Sequence, residues 1–148
     1  MSNTRYLCLD YGDKRIGVAV SDTDKQYSFQ RGILSNDSGL DGNLLELIRG
    51  ENIEKIILGY PLNLRSEKTE LTEKVEQFRA KLEKLLEANS IKADFEFFDE
   101  RFTSKLAREN ILSSGLSKKK RRDKGLIDSV SAQIILQDYL DSKQRVRH

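Results

Sequence analysis

Residues 6–20, YLCLDYGDKRIGVAV, decide the fold class of this chain. Two short apolar runs, residues 6–10 and 16–20, flank a turn that contains Gly12, and this pattern predicts a β-hairpin. Residues 28–34 predict a weaker third strand. Because such short links leave no room for a crossover connection, we expect these three strands to be antiparallel.

Beyond residue 35 the apolar pattern alternates between the helical and the strand period. The strongest helical signal is a run of five apolar residues spaced by four and three positions: Leu71, Val75, Phe78, Leu82 and Leu85. Strands are predicted over residues 53–60 and 93–98. Helices are predicted over residues 40–50, over 66–88, from about 104 and over 127–140.

This order of elements predicts a single α/β domain over residues 1–148. We expect a mixed five-stranded sheet flanked by helices, with its first three strands antiparallel. Each later strand follows a helix and can lie parallel to its neighbour. The order matches the ribonuclease H-like fold better than a doubly wound nucleotide-binding fold.

The composition favours a highly charged globular protein with a modest core. Hydrophobic residues make up 37% of the chain and charged residues 34%, with a formal net charge of +2. The single cysteine, Cys8, excludes an internal disulfide framework and a zinc site, and its apolar neighbours predict a buried thiol. The sequence shows no signal-peptide core and no apolar run near the roughly 18 residues of a membrane span. We therefore expect a cytoplasmic protein with no membrane contact.

The positive charge is concentrated in one segment. Between residues 118 and 124 a single aspartate stands among six basic side chains: Lys118, Lys119, Lys120, Arg121, Arg122 and Lys124. Such a cluster on a nearly neutral body predicts a contact with nucleic acid, from a loop that can close over a bound strand. The alternative is a solvated loop that its charge keeps soluble.

Three acidic residues lie at the ends of apolar elements, where an unpaired charge is costly. Asp10 ends the first strand, Glu100 ends the last strand, and Asp128 opens the closing helix. Groups at the carboxyl ends of strands converge in one crevice, and three carboxylates there predict a site for Mg²⁺ or Mn²⁺. Two such ions can activate a water for phosphodiester hydrolysis. Asp99 ranks second as a ligand, because successive strand residues point to opposite faces.

Each acid also has a purely structural interpretation. Asp10 can cap the turn before Gly12, Asp128 can cap the last helix, and Asp99 can form a surface ion pair with Arg101. Their joint placement favours the metal site over three separate structural roles.

Further cations stand beside these acids. Lys14 and Arg15 follow Gly12 and are candidate phosphate contacts, although charged residues are equally expected in a hairpin turn. Arg101 is a further candidate phosphate contact. The only histidine, His148, is the last residue. We therefore expect metal-bound water rather than an imidazole to act as the base.

Four blocks of the sequence resemble one protein family. They are LDYGDKRIGVAVSD at residues 9–22, ILGYPLNL at 57–64, FFDERFTSKLA at 97–107 and IDSVSAQIILQDYL at 127–140. Their content and order are similar to the YqgF family, also called RuvX. Four ordered blocks are a specific match, whereas the Asp-x-Gly turn alone would be a weak one.

The resemblance implies a ribonuclease H-like fold related to the RuvC resolvases. It implies a bacterial protein of a family classed as Holliday junction resolvases and associated with maturing the 5′ end of precursor 16S ribosomal RNA. The acidic positions of the family fall on Asp10, Glu100 and Asp128. We accordingly expect a metal-dependent nuclease with a two-metal-ion mechanism that acts on precursor 16S rRNA, on Holliday junction DNA or on both.

Two other classes of protein compete with this hypothesis. The Asp-x-Gly turn also resembles the first phosphate loop of actin-like ATPases, but those proteins need a second domain for which this chain is too short. A non-catalytic RNA-binding factor in ribosome assembly would use the basic segment alone. Such a factor would have no need for converging carboxylates. We expect the protein to be a monomer or a weak homodimer.

Overall fold

The computed structural model describes residues 3–63, 65–99 and 124–146, with side chains of the last range from 129 to 144. Five strands and three helices lie in these ranges. No helix there is long and apolar enough to cross a membrane. The elements are β1 (Arg5–Asp10), β2 (Arg15–Ser21), β3 (Ser28–Ser35), α1 (Leu40–Gly50), β4 (Ile53–Tyr60), α2 (Glu70–Ala88), β5 (Asp94–Asp99) and α3 (Lys124–Val146).

The strands form one sheet in the order β3-β2-β1-β4-β5. β1 pairs with β2 and β2 with β3 in antiparallel fashion, whereas β4 lies parallel to both β1 and β5. The predicted mixed five-stranded sheet is thus confirmed, and its first three strands are antiparallel. β1 is the central strand, so its carboxyl end lies in the middle of one edge of the sheet.

Alternation along the strands divides the core between the two faces of the sheet. Leu7 and Leu9 of β1 pack in a cluster with the buried side chains of α1 and α2. Cys8 packs on the other face with residues of α3, and its thiol is buried as predicted. Each strand residue can therefore be assigned to the α1/α2 face or to the α3 face from its position in the alternation.

Helix α2 begins four residues later than the apolar spacing predicts. Thr69 caps the helix, because its side chain accepts a hydrogen bond from the backbone N–H of Thr72 while the Thr72 hydroxyl accepts one from the backbone N–H of Thr69. Leu71 is 39% exposed, whereas Thr72 and Leu86 are buried. The apolar spacing therefore does not give the buried face at either end of the helix, where Leu71 is exposed and Leu86 rather than Leu85 is fully buried.

Helix α3 is longer than the predicted range of 127–140. It carries the fully buried Tyr139, whose hydroxyl accepts a hydrogen bond from Lys55 Nζ on β4 (3.1 Å). Burial and the nearby Glu96 carboxylate on β5 raise the pKa of Tyr139 far above its usual range, so this hydroxyl stays protonated. The helix predicted from about residue 104 lies outside the described residues.

Candidate active site

Asp10 is the last residue of β1 and lies half-buried on the α3 face of the sheet, because it follows Cys8 by two positions. The residue paired with it on β2 is Gly17. On the other side Leu9 pairs with Leu58, so the next residue of β4, Gly59, stands beside Asp10. The residues directly beside Asp10 on both neighbouring strands are therefore glycines, so no side chain stands directly opposite it in the sheet.

The turn after Asp10 requires a glycine. A Cβ atom at Gly12 would lie 2.6 Å from the carbonyl oxygen of Arg15, closer than real side-chain carbons approach. Asn36, just after β3, stabilises this turn by two hydrogen bonds. Its Nδ2 donates to the Gly12 oxygen (2.9 Å), and its backbone N–H donates to the Lys14 oxygen (2.9 Å). Asn36 could not be predicted from the sequence, since no local signal connects it to a turn 24 residues earlier.

The same turn is tied to α2 by an ion pair. Lys74 Nζ donates to Asp13 Oδ1 at 3.0 Å, and this hydrogen bond and the Asp13 charge raise the pKa of Lys74. Lys14 is exposed and Arg15 is half-buried at the start of β2. The two cations predicted to meet phosphate therefore lie one strand away from Asp10, at the same edge of the sheet.

The last side chains of β5 point alternately to the two faces of the sheet. The Phe97 ring packs on Tyr60 (centroids 4.6 Å apart) with the Arg79 guanidinium of α2 over it, whereas the Phe98 ring contacts Tyr139 of α3. Asp99 follows Phe97 by two positions and so belongs to the α2 side, away from Asp10. β5 ends at Asp99, and Glu100 lies outside the described residues.

Asp128 lies within α3 and not at its start. The helix begins at Lys124, so the interpretation of Asp128 as an N-cap is wrong. Ala132, one helical turn later, is buried against Cys8 and Ala19 of the sheet. The Asp128 side chain is outside the described part of the helix.

The structure thus tests only part of the predicted site. Asp10, Lys14 and Arg15 gather at one edge, and Asp99 lies at the same edge on the other face. The described residues contain no cluster of three or more His, Cys, Asp or Glu suited to a metal ion. Side chains of two of the three predicted ligands are outside those residues. Also outside them are Arg101, Lys118, Lys119, Lys120, Arg121 and Arg122.

Comparison with known sequences gives matches over nearly the whole chain. The model of the RuvX family, described as Holliday junction resolvase, matches residues 4–142. A Bacteroides fragilis protein named "Putative pre-16S rRNA nuclease" is 38% identical over 141 residues, 95% of this chain and 99% of that protein. Proteins of the same name from Porphyromonas gingivalis (39% over 141 residues, 95% and 99%) and Flavobacterium psychrophilum (35% over 139 residues, 94% and 98%) are similar.

Comparison with solved structures identifies the fold. RuvC of T. thermophilus in complex with a Holliday junction substrate superposes with a TM-score of 0.60 at 12% identity, covering 96% of each chain. The Fowlpox virus resolvase bound to Holliday junction DNA gives 0.56 at 11% identity, covering 95% of this chain and 99% of the resolvase. At such identities the likeness concerns the fold alone, and it confirms the predicted ribonuclease H-like class.

Proposed function

Because this chain belongs to the RuvX family, we propose that it is a nuclease that hydrolyses phosphodiester bonds in precursor 16S rRNA, as a single domain in the cytoplasm. The relatives named for this RNA share 35–39% of their residues with the chain over more than nine tenths of its length. The junction resolvases are similar only in fold. Precursor RNA is therefore the first substrate to test and Holliday junction DNA the second.

One observation carries the assignment of the active site. Asp10 ends the central strand on the α3 face, between two residues that have no side chain, Gly17 and Gly59. If the alternation of β5 continues by one residue, Glu100 follows Phe98 onto the same face. Helical spacing assigns position 128 to the side of α3 that carries the buried Ala132. Asp10, Glu100 and Asp128 are then the three residues that converge.

Three converging carboxylates fit a hard divalent cation, Mg²⁺ or Mn²⁺. Bound there by Asp10, Glu100 and Asp128, two such ions would supply an activated water and neutralise the leaving oxygen. The protein's own contribution is to hold the carboxylates on one face of a rigid sheet. Lys14 and Arg15, one strand away from Asp10, would orient the phosphate backbone across this face.

A direct comparison of substrates tests the proposal. Purified protein is incubated with a precursor 16S rRNA 5′ fragment, with a four-way DNA junction and with linear DNA, each over a series of Mg²⁺ and Mn²⁺ concentrations and with EDTA. We expect metal-dependent cleavage of the RNA fragment. Preferred cleavage of the junction would make DNA the substrate. Tight RNA binding with no cleavage in any metal would instead support the non-catalytic assembly factor.

The neighbouring acids Asp99 and Glu100 provide an internal control. Glu100→Gln should abolish cleavage, whereas Asp99→Asn should keep it, because Asp99 belongs to the α2 side of β5. Both substitutions remove one charge at nearly constant shape. If Asp99→Asn is inactive and Glu100→Gln active, the assignment of faces at the end of β5 is wrong.

A further inference from the structure

The loop that follows β4 is folded around the side chain of Asn63. Its Oδ1 atom accepts hydrogen bonds from the backbone N–H of Arg65 (2.9 Å) and of Glu67 (3.0 Å). The backbone N–H of Asn63 donates to the Glu67 oxygen (3.1 Å), and that of Ser66 donates to the Asn63 oxygen (3.0 Å). This tight turn fixes the backbone at Arg65.

The base of the loop is anchored as well. The buried Thr72 hydroxyl donates to the carbonyl oxygen of Pro61, and Leu62 forms an antiparallel bridge with Lys68. These contacts hold the loop between β4 and α2 at the edge of the sheet where β1 ends with Asp10. The backbone at its tip is therefore held at this edge of the sheet.

Arg65 differs from Lys68 of the same loop and from Lys74 of α2. Lys68 pairs with Glu76 (3.2 Å) and Lys74 with Asp13 (3.0 Å), so protein carboxylates neutralise both ammonium groups. Arg65 is exposed, and no acidic side chain of the described residues forms an ion pair with it. Its guanidinium is available to an anion from outside.

We propose that Arg65 binds a phosphate of the substrate strand on the β4 side of Asp10, while Lys14 does so on the β2 side. Strands β2, β1 and β4 are consecutive in the sheet, so the turn that carries Lys14 adjoins one neighbour of β1 and the loop that carries Arg65 follows the other. A single nucleic-acid strand that crosses the strand ends would meet both. The planar guanidinium fork of Arg65 suits two oxygens of one phosphate. Asn63 is a positioning residue that orients it.

This inference rests on the proposed function for its ligand, and a binding assay separates the two. A fluorescein-labelled precursor 16S rRNA fragment is titrated with protein in Ca²⁺ and at several salt concentrations, while cleavage is measured separately in Mg²⁺. Arg65→Ala should weaken RNA binding about threefold to tenfold and reduce the log-log salt slope by about one. In cleavage, KM should rise while kcat stays constant.

Two comparisons distinguish a phosphate contact from a general charge effect. Arg49→Ala removes an exposed arginine in the last turn of α1, before the opposite end of β4, and should leave RNA binding unchanged. Arg65→Lys should retain the salt slope of the parent. Asn63→Ala should weaken binding in the parent but have little further effect in Arg65→Ala, since both changes disturb one contact.

Each outcome bears on only one of the two claims. If Arg65→Ala binds RNA with the affinity and salt slope of the parent, the inference is overturned even if the parent cleaves RNA. A lowered kcat with unchanged binding would also overturn it, because Arg65 would then act on the chemistry. If the parent binds RNA through Arg65 but cleaves nothing, the inference holds and the proposed nuclease function fails.

Discussion

The turn after Asp10 offers a quantitative test of how tightly the active site is held. In Gly12→Ala the new Cβ atom would lie 2.6 Å from the Arg15 carbonyl oxygen, so the backbone must open by about 0.8 Å to restore ordinary contact. Forcing a methyl group into a packed site costs about 1–3 kcal/mol. Alanine also restricts the unfolded chain, which returns about 0.4–1 kcal/mol. We expect a net loss of roughly 0.5–2 kcal/mol in the free energy of unfolding.

Urea denaturation measures this loss, with Gly42→Ala as the matched control. Gly42 lies inside α1 with no atom within 4 Å of an added Cβ. Alanine there should stabilise the protein by about 0.5–1 kcal/mol, so the two substitutions should shift the midpoint in opposite directions. Gly12→Ala should also slow cleavage, since the turn positions Lys14. A Gly12→Ala protein as stable as the parent would refute the claim that this turn has no space.

Three further variants test other features of the structure. Ser90 has a φ of 57° just after α2, a conformation that favours glycine, so Ser90→Gly should raise the free energy of unfolding by about 0.5–1 kcal/mol in urea denaturation. A lower free energy of unfolding would contradict the claim that the Ser90 backbone is strained. Tyr139→Phe should cost about 1–2 kcal/mol in the same assay, because the buried hydroxyl bonds Lys55; unchanged stability would contradict this. Replacing Lys119, Lys120 and Arg121 by alanine should lower the salt slope of RNA binding by about two to three and spare metal binding; an unchanged slope would indicate a merely solvated loop.

The fold could be predicted from sequence wherever one face of an element is buried. β1, β2 and β4 carry apolar runs whose period and short links define them, and their predicted bounds agree with the structure within one residue. The start of α2 could not be predicted, because the residues before Thr69 take part in the loop around Asn63 despite a spacing that fits a helix. Burial of Leu86 instead of Leu85 depends on how the end of α2 lies on the sheet, which the spacing of four and three leaves open.

Of the candidate site, the position of Asp10 at the end of β1 could be predicted from the sequence, and so could Lys14 and Arg15 in the turn that follows it. Asp10 could be identified because a carboxylate at the end of an apolar strand stands out. The two glycines beside it, Gly17 and Gly59, could not be predicted, because the strand register that brings them next to β1 follows from tertiary pairing. For the same reason, neither the hydrogen bonds from Asn36 to the turn nor the position of Arg65 could be predicted from the sequence.

The central claim is that Asp10 belongs to a metal-dependent nuclease site, and Asp10→Asn tests it most directly. Single-turnover cleavage of the precursor RNA fragment in Mg²⁺ is compared with RNA binding in Ca²⁺ and with thermal stability. We predict a loss of cleavage on the order of a thousandfold or more at unchanged folding and RNA binding. Adding Glu100→Gln or Asp128→Asn should lower the rate little further, because the three ligands act as one unit. An Asp10→Asn protein that cleaves at the rate of the parent would contradict the account.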